Sequence, residues 1–246
     1  MTEQTPIDES VSRLYQTFRR YRLGSDFAGC NCCVSPADHE PLRAKPLRAL
    51  SFDDLQQYST KAMTTWGDIS HFKHFLPRLM ELTIGHRDEF LDLAVVFGKL
   101  SWGNFETWPE AEATAVHRFL AAYWRFQLSQ PISAACADAT DTVLCSLGNA
   151  VSTVQPYLDE WTKAKSQFAT LHLASFVLAN SATLLKKGQL WNPFWDKSAQ
   201  PHREVVAWLK AAELVARFEQ TQAHLTHDFE YALPQLNAIR AVLNRK

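Results

Sequence analysis

Apolar side chains in this chain recur every three or four residues, and no stretch alternates apolar with polar over the length of a strand. An α-helix turns once in about 3.6 residues, so this spacing gathers one apolar face per segment, whereas a half-buried strand needs a period of two. Ile7, Val11, Leu14, Tyr15 and Phe18 predict a first amphipathic helix over about residues 8–22, ended by Gly24. Ser35-Pro36 reads as an N-cap followed by proline, opening at most a short turn. Ser51-Phe52-Asp53-Asp54 reads as a capping box with Asp in place of Glu or Gln. The helix it opens carries Leu55, Tyr58, Ala62 and Met63 up to Trp66-Gly67. Asp68 caps the next helix, which buries Phe72, Phe75, Leu76, Leu79 and Met80, and the internal Pro77 predicts a kink or break near His74.

Further along, Asp88 caps a helix reaching Leu100, and Ser101-Trp102-Gly103-Asn104 forms a turn. Thr107-Trp108-Pro109-Glu110 opens a long helix through Phe119 and Trp124 to Leu128. A helix over about 133–147 ends at Gly148-Asn149, and two more, or one kinked at Pro156, run to Lys187-Gly188. Leu190-Trp191-Asn192-Pro193-Phe194-Trp195 is an aromatic loop, either a partner contact or a lid over a helix end. Helices over about 201–222 and through Tyr231 and Leu236 to Leu243 complete the chain. Brief turns between short helices favour antiparallel neighbours. The predicted fold class is all-α: an irregular multi-helix bundle, or a short solenoid-like stack of antiparallel helix pairs. The repeat alternative rests on one echo, the Leu-Pro-x-Leu core at Leu76–Leu79 and Leu233–Leu236. A single domain over 1–246 is expected, with a Cys-rich loop at 24–41.

A chain of 246 residues is long enough to bury about 70–75% of its unfolded surface, so it does not need disulfide staples. The N-terminus Met-Thr-Glu-Gln-Thr-Pro is polar and gives no sign of an export signal. The apolar stretch 171–185 is interrupted by His172, Ser175, Asn180 and Ser181, which reads as too short and too polar to span a bilayer. Five cysteines, an odd number, without an export signal point to the reducing cytoplasm. The net charge of −1 gives no bias toward nucleic acid or an anionic membrane, so the expected partner is a protein or a small molecule. Arg19-Arg20 with Arg22, then Arg43, Lys45 and Arg48, stand among Asp26, Asp38 and Glu40 and read as a solvated face.

Three of the five cysteines, Cys30, Cys32 and Cys33, fall within four positions between Gly29 and Pro36. Loops run over the surface, so thiols packed this closely on one are poor core filler. Thiolate suits zinc, and structural zinc takes four nitrogen or sulfur donors. Candidate ligands are Cys30, Cys32 and Cys33 with His39 or His74. Cys32 and Cys33, being adjacent, are expected to point apart in an extended loop, so that one of them ligates. The alternatives are inert reduced thiols or a redox pair, the ring closed by Cys30 and Cys32 being small and strained. His71 and His74 share a helix face with Arg78, and Asp68 can orient His71. Together with Trp66 these residues outline a possible pocket. His224 and His227, beside Asp228 and Glu230, repeat the histidine spacing, while Cys136 and Cys145 read as core. No Gly-rich phosphate loop, no Gly-x-Ser-x-Gly elbow and no His-Glu-x-x-His pattern is present.

Gly29-Cys30-x-Cys32-Cys33-Val34-Ser35-Pro36, followed by Thr65-Trp66-Gly67-Asp68 and Phe72-Lys73-His74-Phe75-Leu76-Pro77-Arg78, resembles a group of uncharacterised bacterial proteins. That resemblance implies a bacterial, cytoplasmic origin and no activity or site residue. The residues themselves leave three readings. One is a binding or scaffold module with a structural zinc in the Cys-rich loop. The second is an enzyme with Cys30 or Cys32 as nucleophile, His74 as acid/base and Arg78 as anion holder. The third is a thiol switch cycling Cys30 and Cys32.

Overall fold

A computed structural model describes residues 5–85, 92–132, 139–221 and 227–245. The chain divides into two compact units, Met1–Tyr123 and Trp124–Lys246. Within the described residues every extended element is helical, and the only strand-like pairings are isolated bridges from Trp66 to Gly29 and to Ala62.

The first unit holds α1 (Pro6–Phe18), α2 (Pro36–Ala44), α3 (Phe52–Lys61), α4 (Ile69–Gly85), α5 (Leu93–Trp102) and the start of α6 (Glu110–Ser129). One capping device recurs three times. Thr5, Ser35 and Ser51 each accept from the amide of an Asp three residues on, and that carboxylate bonds back to the cap amide. Each such cap contributes about 1 kcal/mol and fixes where its helix starts. The device also explains why Ser35-Pro36 opens a nine-residue helix rather than the short turn expected. Asp38 completes the box, and Leu42 anchors the helix to the core.

Pro77 neither breaks nor ends α4, contrary to expectation; the helix is continuous from Ile69 to Gly85. Proline inside a helix costs about 3 kcal/mol. Phe72, Phe75, Leu76, Leu79 and Met80 are all buried, and α4 packs along α1, which together outweigh that cost. The helix beginning at Ser51 stops at Lys61, earlier than predicted, because Met63 takes a positive φ of 61° and starts a turn. The predicted cap Asp88 lies outside the described residues; α5 is capped by Asp92, whose carboxylate accepts from the Ala94 and Val95 amides.

Lys73 of α4 and Glu112 of α6 form a buried pair at 2.8 Å. Tyr21 donates to the same Glu112 carboxylate at 2.8 Å, and Arg20 pairs with it from the surface.

The second unit holds α7 (Ala139–Ala150), α8 (Gln155–Lys163), α9 (Gln167–Lys187), α10 (Gln200–Trp208), α11 (Ala212–Thr221) and α12 (His227–Leu243). Gly148 lies inside α7 rather than ending it, and the helix predicted over 201–222 is two helices, broken at 209–211. Its core is built on Trp161, which meets Trp124, Phe176 and Trp208 with ring centroids 5.2, 5.6 and 5.0 Å away. Each of these indoles finds a hydrogen-bond acceptor, as buried tryptophans require: Tyr157 O, Ala169 O and Thr162 Oγ1. The aromatic loop folds back as a lid, with Trp195 buried so close over Gly148 that an added Cβ there would meet its ring at 2.5 Å.

By length and apolarity α9 qualifies to cross a bilayer, contrary to the expectation that this stretch is too short and too polar. Half of that span is buried within the protein, and its buried polar residues Thr170, His172 and Asn180 are hydrogen-bonded inside the unit. His172 bonds with Thr140 and with the Gln130 carbonyl, and Asn180 donates to Asp141 at 2.9 Å. α9 is the core helix of its unit, packing on α7, α11 and α12. Cys145 is buried there as expected, while Cys136, His224 and the side chains of His227, Asp228 and Glu230 lie outside the described residues.

Burial raises the pKa of Glu112, but the bonds from Lys73 and Tyr21 and the charges of Lys73 and Arg20 outweigh it and hold the carboxyl below its usual range. A depressed carboxylate stabilises the fold fully above the unfolded value of about 4.3 and ceases to do so as pH falls through the folded value. Glu112→Gln should therefore cost about 3 kcal/mol at pH 7, because it strands Lys73. In urea titrations at pH 7 and pH 3 the deficit should shrink in acid; an equal deficit at both would show that the charge contributes nothing.

Candidate metal centre

The Cys-rich segment is held by backbone before any side-chain chemistry is invoked. Gly29 pairs antiparallel with Trp66, the Cys30 amide donates to the Thr65 carbonyl at 2.7 Å, and the Gly67 amide donates to the Ala28 carbonyl at 2.8 Å. Two glycines make the approach possible. A Cβ on Gly29 would lie 2.7 Å from Val34, and Gly67 has a φ of 67°. Beneath the segment Phe27 and Trp66 stack at 5.9 Å, closed in by Tyr58, His71 and Phe75.

On this base residues 30–33 form a turn. The amides of Cys33 and Val34 both donate to the Cys30 carbonyl, at 2.8 and 2.9 Å. Lys61 donates to the Cys33 carbonyl, and Ser35 then caps α2. The turn overturns the expectation that Cys32 and Cys33 point apart, which assumed an extended loop. Cys30 and Cys32 have sulfurs 2.8 Å apart, Cys32 and Cys33 3.5 Å, and all three lie within 4.8 Å of one another. A Zn–S length of about 2.3 Å in a tetrahedral site puts sulfurs about 3.8 Å apart, so the two closer pairs lie short of that spacing by about 1.0 and 0.3 Å. The three cysteines are exposed, and their sulfurs can adjust by the remaining ångström through χ1 rotation. Three closely spaced cysteines able to hold a metal ion are thus established by the geometry.

The other sequence candidates occupy different places. Neither His39 nor His74 comes within 4.8 Å of all three sulfurs. His39 packs edge-on to Trp66 and accepts from its Nε1 at 3.2 Å; burial holds its pKa below the ordinary imidazole value. His74 is bonded through Nδ1 to the Tyr21 carbonyl at 3.0 Å, and burial likewise lowers its pKa. Asp68 accepts from the Ser70 and His71 amides and so caps α4. Its carboxylate also sits 2.8 Å from Nδ1 of the buried His71. Arg78 donates to the Leu50 carbonyl and to Glu81, and Trp66 is core.

One sequence signal for the turn was open to reading. Cys30 and Cys33 have two residues between them, the spacing that lets a turn bring two sulfurs to one ion. The bond from Lys61 to the Cys33 carbonyl had no such signal, because 28 residues separate the pair.

The thiols are not equivalent. The hydrogen bonds Cys32 supplies hold Cys30 below the ordinary thiol pKa, and the same sulfur contacts push Cys32 up to about 11. In comparisons with known proteins, no family model, no curated protein and no solved structure matches this chain.

At pH 8 an ordinary thiol is about one-fifth thiolate, and one with a pKa about 11 is about 0.1% thiolate. After allowing for the greater nucleophilicity of the more basic sulfur, Cys30 should react with iodoacetamide roughly tenfold faster than Cys32 in the metal-free protein. Peptide mass spectrometry over a time course reads the order. Equal rates would contradict the sulfur–sulfur coupling, and Cys145 should stay unmodified until the protein is unfolded.

Proposed function

We propose that this protein is a cytoplasmic all-helical binding module whose first unit carries a zinc ion on Cys30, Cys32 and Cys33. The supporting observation is the convergence of three exposed sulfurs on a turn that backbone bonds already fix. Thiolates are soft donors suited to zinc, and a divalent ion relieves the repulsion that three neighbouring thiolates would otherwise suffer. Closed structural sites use four protein ligands, whereas this turn offers three. The fourth position is left to water or to a donor from a docking partner. Zinc here ties the turn and marks the place where the partner binds.

A second reading, a thiol switch, draws support from the 2.8 Å between the Cys30 and Cys32 sulfurs. Its ring would be strained and hence easily reduced.

Elemental analysis of protein purified without chelator separates the two. About one zinc per chain is expected, lost in Cys30→Ser and Cys33→Ser and retained in Cys145→Ser. With free zinc at about 100 times Kd the stabilisation is about 2.7 kcal/mol. For a chain of this size that raises Tm by roughly 5–10 °C. Metal-free protein whose thiols all react at once would refute the zinc reading. Reversible loss of two thiols under dilute peroxide would replace it with the switch.

A further inference from the structure

The basic residues that look like a solvated face in sequence are gathered by the first unit around one cleft of about 500 Å³. Arg19 and Arg22 follow the end of α1, Arg43 and Lys45 lie at the end of α2, and Arg48 comes just after it. Of the run Arg19-Arg20-Arg22, only Arg20 turns away, to Glu112. Among the described residues, no Asp or Glu lines the cleft.

Two of the five cations have carboxylate partners behind them: Lys45 with Asp54 at 2.7 Å, and Arg48 with Glu81 at 3.8 Å. Arg43 spends one nitrogen on the Phe27 carbonyl, a neutral acceptor. Arg19 and Arg22 are exposed and form no ion pair among the described residues. Three positive charges therefore remain uncompensated around a concave surface, where field lines concentrate.

The floor is apolar. Phe18 and Leu42 are buried beneath it, Leu47 and Pro77 contribute aliphatic surface, and the Arg48 guanidinium lies 3.6 Å over the Tyr15 ring. A volume of about 500 Å³ falls in the range of small-ligand sites, which run roughly 300–1,000 Å³. Guanidinium groups match carboxylate and phosphate oxygens in pairs, so the rim selects the anion and the floor selects its body.

We propose that this cleft binds a small organic phosphate or carboxylate, with its acidic group against Arg19 and Arg22 and its apolar body on the aliphatic surface of Leu23 and Leu47. The inference stands apart from the zinc reading, since it uses none of the cysteines.

Calorimetric titration of the full-length protein with phenyl phosphate tests it, with inorganic phosphate and phenol as the separate halves of that probe. Phenyl phosphate should bind saturably, at least tenfold tighter than either half, and more weakly as sodium chloride rises from 50 to 500 mM. Arg19→Gln with Arg22→Gln should weaken it at least tenfold while leaving the ligand-free melting temperature unchanged. Arg13→Gln, on the exposed side of α1 and outside the cleft, removes the same kind of charge and should leave affinity as it was. Binding no tighter than that of inorganic phosphate, or an equal loss in Arg13→Gln, would overturn the proposal.

Discussion

Everything distinctive about the first unit rests on one backbone contact, the antiparallel pairing of Gly29 with Trp66. It joins two segments that are each too short to form a strand, and it does so over a buried aromatic floor where water cannot compete for the amides. Without it the Cys30 and Gly67 amides would lose the Thr65 and Ala28 carbonyls as acceptors. Orphaned groups of this kind cost about 1–3 kcal/mol each. Packing and pairing support each other: Phe27 fills the space under the bridge, and the bridge keeps Phe27 stacked on Trp66.

The rigidity of that base decides what the cysteines can do. In a floppy loop three thiols would sample many separations, and a metal would have to order the chain as well as bind it. Here the turn is already closed by two amides on the Cys30 carbonyl, so most of the ordering entropy is met by the backbone. A metal on these sulfurs would meet a turn that the backbone has already formed and would tie it further. This fits the exposure of all three sulfurs, since a site that had to hold the protein together would be expected inside it.

The helices were legible because periodicity reports local geometry, and the capping box at Ser51 made the start of α3 readable to the residue. Two misreadings fell where long-range packing overrides a local signal, and a third at Ser35, where the capping box with Asp38 was missed. Pro77 is a helix breaker in isolation but sits on a helix buried along its length, and Gly148 stops no helix because Trp195 needs the space above it. The site was half legible. Chain order announces a cluster at Cys30, Cys32 and Cys33, but their convergence depends on a turn pinned by Lys61 and Thr65, which no local pattern connects to it. The histidines read as ligands by spacing alone are engaged elsewhere, His39 by the Trp66 indole and His74 by the Tyr21 carbonyl. Basic residues scattered over positions 19–48 cannot be seen as one surface until α1 and α2 bring them together.

α2 runs between the cysteine turn and the basic cleft. Its capped N-terminus follows Cys33 by two residues, and its last residues lead into Arg43 and Lys45 at the cleft. Helix polarity favours negative charge at the first end and positive charge at the second, and both preferences are met. Zinc on three thiolates carries a net charge of −1, which the N-terminus of α2 and the ammonium of Lys61 tolerate better than the −3 of three bare thiolates. Arg43 belongs to both neighbourhoods, donating to the Phe27 carbonyl beneath the cysteine turn while its side chain lines the cleft. Through its bond to the Phe27 backbone carbonyl, Arg43 ties the rim of the cleft to the residue whose ring supports the Gly29–Trp66 bridge.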